Sequence, residues 1–74
     1  MKHYVILVNN NSVTGFYSAN SFEEARDILL GKFNELLNRE MNDEETDSLN
    51  DFSEVFVFDN PDEVYLFSIV TEDS

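Results

Sequence analysis

The sequence predicts an α+β fold in the order β-β-α-β-β, a four-stranded antiparallel sheet with one helix packed on one face. Three observations carry this reading. Two pairs of apolar, β-branched and aromatic runs are each joined by a cluster of turn formers, as β-hairpins are. Between the pairs, residues 21–40 place their apolar side chains at helical spacing. Two hairpins flanking one amphipathic helix bury most apolar surface when the strands form one sheet beneath that helix.

The first strand is His3 to Val8, continuously apolar after His3, which reads as a central strand buried on both faces. Asn9, Asn10, Asn11 and Ser12 form the turn, since Asn tolerates positive φ. Val13 to Ser18 returns as the second strand. Gly15 within it marks a bulge or a close approach of neighbouring groups. Ser21 and Glu24 have capping-box spacing and open the helix. Ala25, Ile28, Leu29, Phe33, Leu36 and Leu37 form its apolar stripe, with Met41 extending it, and Arg39 falls near the negative end of the helix dipole. Gly31 costs roughly 1 kcal/mol against Ala in a helix interior, so packing rather than propensity must hold this helix. Residues 42–51 contain a single apolar residue and read as a loop, or one helical turn capped by Asn42 with Glu45. Phe52 to Phe58 is the third strand, Asp59-Asn60-Pro61-Asp62 a turn, and Val64 to Val70 the fourth strand.

Length bounds the rest. The chain has 74 residues, which reads as a single small acidic domain over 1–74, with no cysteine to staple it. The third and fourth strands place apolar residues on both faces, and one helix covers only one. An apolar sheet face is thus left over, which points to a homodimer through that face or through strand edges. The apolar run Tyr4 to Val8 is too short for a signal core or a membrane span, so the expected location is the cytoplasm.

The charge is segregated. Four bases (Lys2, Arg26, Lys32, Arg39) and four acids cancel in residues 1–39, whereas residues 40–74 hold twelve acids and no base, giving the net charge of −12. Such a field repels nucleic acid and anionic lipid and attracts basic protein surfaces.

No catalytic or cofactor motif accompanies that charge. Asp43, Glu45, Asp47, Asp51 and Glu54 match positions 1, 3, 5, 9 and 12 of a calcium-binding EF-hand loop. Against the match, Ser48 stands where the sharp turn wants Gly, Asn50 where an apolar residue is usual, and a strand follows rather than a helix. A solvated acidic segment is the preferred reading, with no metal and no cofactor. His3 is the single histidine and reads as a strand-end residue, and two distant glycines make no phosphate loop. Stacking of nucleic-acid bases on the aromatics would need a basic groove, which four scattered bases do not build.

The expected role is non-enzymatic binding of a basic protein surface by Asp43, Glu44, Glu45, Asp47, Asp51 and Glu54, with Asp59, Asp62 and Glu63 at the hairpin turn. Carboxylates on alternate strand residues lie about 6.6 Å apart. Neighbouring phosphates on one DNA strand are comparably spaced, at roughly twice the 3.4 Å rise. In size and charge the chain resembles the small phage-encoded DNA-mimic inhibitors: anti-CRISPR proteins, anti-restriction proteins and the uracil-DNA glycosylase inhibitor. The resemblance spans the whole chain and implies an inhibitor that occupies a basic nucleic-acid channel, working in the host cytoplasm. Two other readings stay open: a structural or oligomerisation module with a solvated acidic face, and an antitoxin-like partner of a basic toxin.

Overall fold

The computed structural model describes residues 2–60 and 62–73, with the side chains of Asp59 and Asn60 outside that description. The elements in chain order are β1 (Lys2–Asn9), β2 (Ser12–Ala19), α1 (Phe22–Leu37), α2 (Asp43–Phe52), β3 (Glu54–Asn60) and β4 (Glu63–Glu72). The strands form one antiparallel sheet in the order β2-β1-β4-β3. The α+β class and the two hairpins stand. The single helix does not, because α2 occupies the segment read as a loop or one helical turn.

The first hairpin turns on Asn10 and Asn11, at φ 49° and 69°. Positive φ at both central residues matches the twist of the flanking strands, and Asn accepts that conformation at low cost. Asn10 also reaches across the sheet: its N–H donates to the Val64 carbonyl, and its side-chain oxygen accepts from the Val64 N–H, both at 3.0 Å. Gly15 lies opposite Leu7, where the register with β1 slips before Val8 meets Val13. A Cβ at Gly15 would come within 3.0 Å of the Leu7 and Tyr17 side chains, so a close approach explains the glycine.

Helix α1 starts where Ser21 accepts from the Glu24 N–H at 3.1 Å. The reciprocal arm differs from the expected capping box, since the Glu24 carboxylate takes the Asn20 N–H at 3.2 Å instead. Asn38, at φ 57°, closes the helix by donating its N–H to the Asn34 carbonyl. Ala25, Leu29 and Phe33 are buried on the sheet, with Ile28, Leu37 and Met41 packed beside them. Leu36, expected in the same stripe, is exposed. Nothing lies near the Cβ that Gly31 lacks, so packing within the chain does not call for glycine there.

Helix α2 forms for reasons of capping more than hydrophobic periodicity. Asn42 accepts from the Glu45 N–H at 2.9 Å and Glu45 accepts from the Asn42 N–H at 3.0 Å, a complete capping box. Asp43, Glu44 and Glu45 fall in the first turn, where the helix dipole favours negative charge. Leu49 is fully buried and anchors the helix to the core. Phe52, read as the first residue of a strand, is the last residue of α2. Ser53, at φ 59°, ends the helix, and its carbonyl accepts from the Ile69 N–H at 2.8 Å, which feeds the chain into β3.

One face of the sheet carries the core: Val5 and Leu7 from β1, Ala19 from β2, Val55 and Val57 from β3, and Tyr65, Phe67 and Ile69 from β4. Phe33 and Phe67 meet there at 5.1 Å between ring centroids. Both helices contact this side, α1 over β1, β2 and β4, and α2 over β3. Strand β1 is central, as expected, but buried on one face only. Its alternate residues Tyr4, Ile6 and Val8 are half-buried, and the exposed Phe16, Phe56, Phe58 and Val70 share their face. The hairpin of β3 and β4 closes with Asn60 opposite Glu63 after a register slip at Phe58, so Asp59 and Asn60 extend the strand. Pro61, assigned to the turn, lies outside the described residues.

Candidate acidic interface

Helix geometry fixes how the acids of residues 43–51 are displayed. Asp43, Asp47 and Asp51 are spaced four apart along α2 and fall in one row, rising about 6 Å per step. All three are exposed, as is Glu44 beside them. The helix carries no base. Carboxylates expected in a loop or one helical turn therefore stand on a helix of ten residues.

Glu45 is turned the other way. Its two oxygens accept from Nη1 and Nη2 of Arg39 at 2.8 and 2.9 Å, a bidentate pair. The Glu45 side chain is only 13% exposed. The Arg39 guanidinium, and after it the Asn42 N–H, hold this carboxyl below its ordinary range, although burial opposes them. The guanidinium also lies over the Phe33 ring, 4.9 Å from its centroid. Glu45 thus joins α2 to the end of α1 and is not part of the open acidic row. The sequence placed Arg39 against the helix dipole and missed this pair. Asn42 and Glu45 as a capping box, with Arg39 three residues upstream, is the signal that could have found it.

Glu54 opens β3 and is exposed, with Ser68 opposite it. The Ser48 hydroxyl donates to the Glu54 carbonyl at 2.7 Å, which ties α2 to the edge strand. Glu44, Glu45 and Glu54 share the wall of a shallow depression of about 230 Å³ with Ser48, Val55 and Phe56. At the far end of β3, roughly 20 Å away at the strand rise, Asp62 is exposed and Glu63 is half-buried. The Glu63 carboxylate accepts from the Tyr65 hydroxyl at 2.6 Å. The side chain of Asp59 lies outside the described residues. The nine acids read from the sequence thus divide into an α2 group with Glu54 and a separate hairpin group.

The EF-hand frame falls on a helix and a strand rather than a loop. Among the described residues, no group of three or more His, Asp or Glu could hold a metal ion. His3 Nδ1 is 2.9 Å from the Thr71 hydroxyl, and its ring meets Phe22 edge-on at 6.4 Å.

The bases lie on the other side of the charge balance. Lys32 is 3.5 Å from Glu35 and 5.1 Å from the centroid of Tyr17. Glu35 first, then Tyr17, raise the Lys32 ammonium above its ordinary value. The Tyr4 phenol is raised by desolvation first and then by the Glu72 carboxylate. Arg26 lines a groove of about 410 Å³ with Gly31 and Thr46, and its buried Nε has no hydrogen-bond partner. Among the described residues, no helix is long and apolar enough to cross a membrane. No protein-family model, curated protein or solved structure matches the chain.

Proposed function

We propose that this chain is a non-enzymatic inhibitor that offers the acidic row of α2 to a basic, nucleic-acid-binding protein in the cytoplasm, in the manner of anti-CRISPR and other anti-defence proteins. The observation that carries the proposal is charge that folding itself does not use. Acids in the first turn of α2 complement the helix dipole, but Asp47 and Asp51 do not. Asp47 sits four residues from both Asp43 and Asp51, and like charges at that spacing destabilise a helix by roughly 0.2–0.5 kcal/mol per pair. Asp51 lies in the last turn, where the dipole disfavours a carboxylate and no base answers it. A basic groove closing over the row would relieve both costs. The row's step of about 6 Å is close to the separation of neighbouring phosphates, so an array of lysines or arginines built for a nucleic-acid strand can engage it. Asp43, Glu44, Asp47 and Asp51 are the primary contacts, with Glu54 at the margin. The hairpin acids Asp62 and Glu63 form a second contact only for a partner wide enough to span β3.

The test is competition. The chain, immobilised in a native host extract, should capture a basic protein that short duplex DNA and added salt both release, since exposed charges are screened beyond about 8 Å at physiological ionic strength. A variant with Glu44, Asp47 and Asp51 replaced by Lys should capture none of it while keeping its circular dichroism. Undiminished capture by that variant, or capture that duplex DNA does not disturb, would overturn the proposal.

A further inference from the structure

The sheet face turned away from the helices is the largest feature that the acidic row leaves unexplained. The strand registers align its side chains in rows. Val13 pairs with Val8, Val8 with Leu66, and Leu66 with Phe56. Phe16 pairs with Ile6 and Ile6 with Ser68, while Tyr4 joins Val70 and Phe58 joins Val64. Directly paired residues of antiparallel strands share a face. Ser68, and Ser18 opposite Tyr4 on the edge strand, are therefore the uncharged polar residues set among ten apolar or aromatic ones. The charges of this face, Lys2, Glu54 and Glu72, stand at its rim. In a chain of net charge −12 this is the region poorest in charge.

We infer that this face packs against the same face of a second copy, related by a two-fold axis that runs along the strands between β1 and β4. Three arguments select a second copy over a foreign partner. The first is area. Four strands about 4.8 Å apart, over roughly seven residues at 3.3 Å, make a plane of about 450 Å². That is close to a tenth of the 4903 Å² surface, the share a specific interface takes. Two such faces together bury roughly 900 Å², close to the lower bound of about 1,000 Å² for a specific interface.

The second argument is symmetry. The order β2-β1-β4-β3 is mirrored about its centre, so the axis brings β1 over the partner's β4 and β2 over its β3. By register, Val13 then faces the Phe56 position of the second copy, Val8 the Leu66 position and Tyr4 the Val70 position. Lys2 and Glu72, opposite each other in the β1–β4 ladder, exchange partners across the axis, so these two rim charges meet with opposite sign, while Glu54 at the sheet edge comes over the Phe16 position. The third is charge. A basic partner is recognised by carboxylates, and the exposed row Asp43, Asp47 and Asp51 stands on the helical side with only Glu54 and Glu72 at this rim, whereas an apolar, almost uncharged face suits its own like. Two twisted sheets of one hand pack face to face with their strands about 30° apart. Both acidic rows then point outward, in opposite directions.

Analytical ultracentrifugation tests this directly. The chain should sediment as a dimer at tens of micromolar, and Phe56→Lys should raise the dissociation constant by about a hundredfold, with its circular dichroism unchanged. Asp47→Lys, on the helical side, should leave the dimer intact. Val13→Lys and Phe56→Asp should each give monomers, and mixing them should restore a dimer, because the proposed axis sets these two positions against each other. Added salt should tighten the dimer by screening repulsion between acidic copies, the reverse of its effect on capture of a basic protein. A monomer at hundreds of micromolar, an unweakened Phe56→Lys dimer, or a mixture that stays monomeric would each overturn the inference.

Discussion

A single side chain decides how the two helices meet. Glu45 closes the capping box of α2 with the Asn42 N–H and at the same time binds both guanidinium nitrogens of Arg39. Its carboxyl is held below the ordinary value of 4.5, chiefly by Arg39. A carboxyl depressed by folding contributes stability that is present above its unfolded value and is lost as pH falls through its folded one. Glu45→Gln isolates the effect, because Gln keeps the capping geometry and gives up only the charge. In chemical denaturation at neutral pH the variant should be less stable by about 1 kcal/mol, a figure reduced for the solvent-exposed Arg39. Below the ordinary carboxyl value the gap should narrow and close. A gap of constant size down to strongly acid pH would show that the charge is not the cause.

Among the elements, α2 is where sequence and structure part. The long helix was legible because Ala25, Leu29 and Phe33 repeat at the right period and Ser21 starts them. In α2 only Leu49 is buried and only Phe52 is otherwise apolar, and two residues make no period. The information lay in the ends: Asn42 with Glu45 at one, and Ser53 turning left-handed at the other. The second of these is invisible in sequence, since Ser seldom takes that conformation. Reading the segment as a loop or one helical turn also misplaced the candidate site, since the row of carboxylates stands on a full helix, and it hid the inward turn of Glu45. A further outcome belongs to this scale. Asp51→Asn removes a carboxylate from the negative end of α2 and one like-charge pair, which should stabilise the fold by roughly 0.5 kcal/mol. That corresponds to a rise in melting temperature of about 2–4 °C for a domain of this size. The same variant should bind the basic partner less well, so stability and function should move in opposite directions. A lower melting temperature would mean that Asp51 has a structural role after all.

At the scale of the whole molecule, the two faces of the sheet divide the chemistry: helices and most carboxylates on one side, a nearly uncharged apolar plane on the other. The hairpins and the leftover apolar face were readable from Phe56, Phe58, Leu66 and Val70 alternating with core residues. The order of strands was not, because a hairpin records its own pairing and says nothing of which edge meets its neighbour. The unbalanced charge has a global consequence for stability. Excess negative charge repels itself in the folded chain, and salt screens it. The melting temperature should therefore rise by several degrees between low and moderate salt, equivalent to about 1 kcal/mol. A fall would place the net effect of salt on the few attractive pairs, Arg39 with Glu45 and Lys32 with Glu35.

The union of β1 and β4 at the middle of the sheet also sets a timetable for synthesis. His3 and Thr71 touch across 68 residues of sequence. As the chain leaves the ribosome, β1 has β2 at hand almost at once, but its other edge stays open until β4 has been made. Through that interval a row of unpaired N–H and C=O groups in Tyr4 to Val8 faces the surroundings, a template for joining the wrong strand. Asn10, which grips Val64 by both backbone and side chain, stands ready at the end of β1 to register the arriving strand.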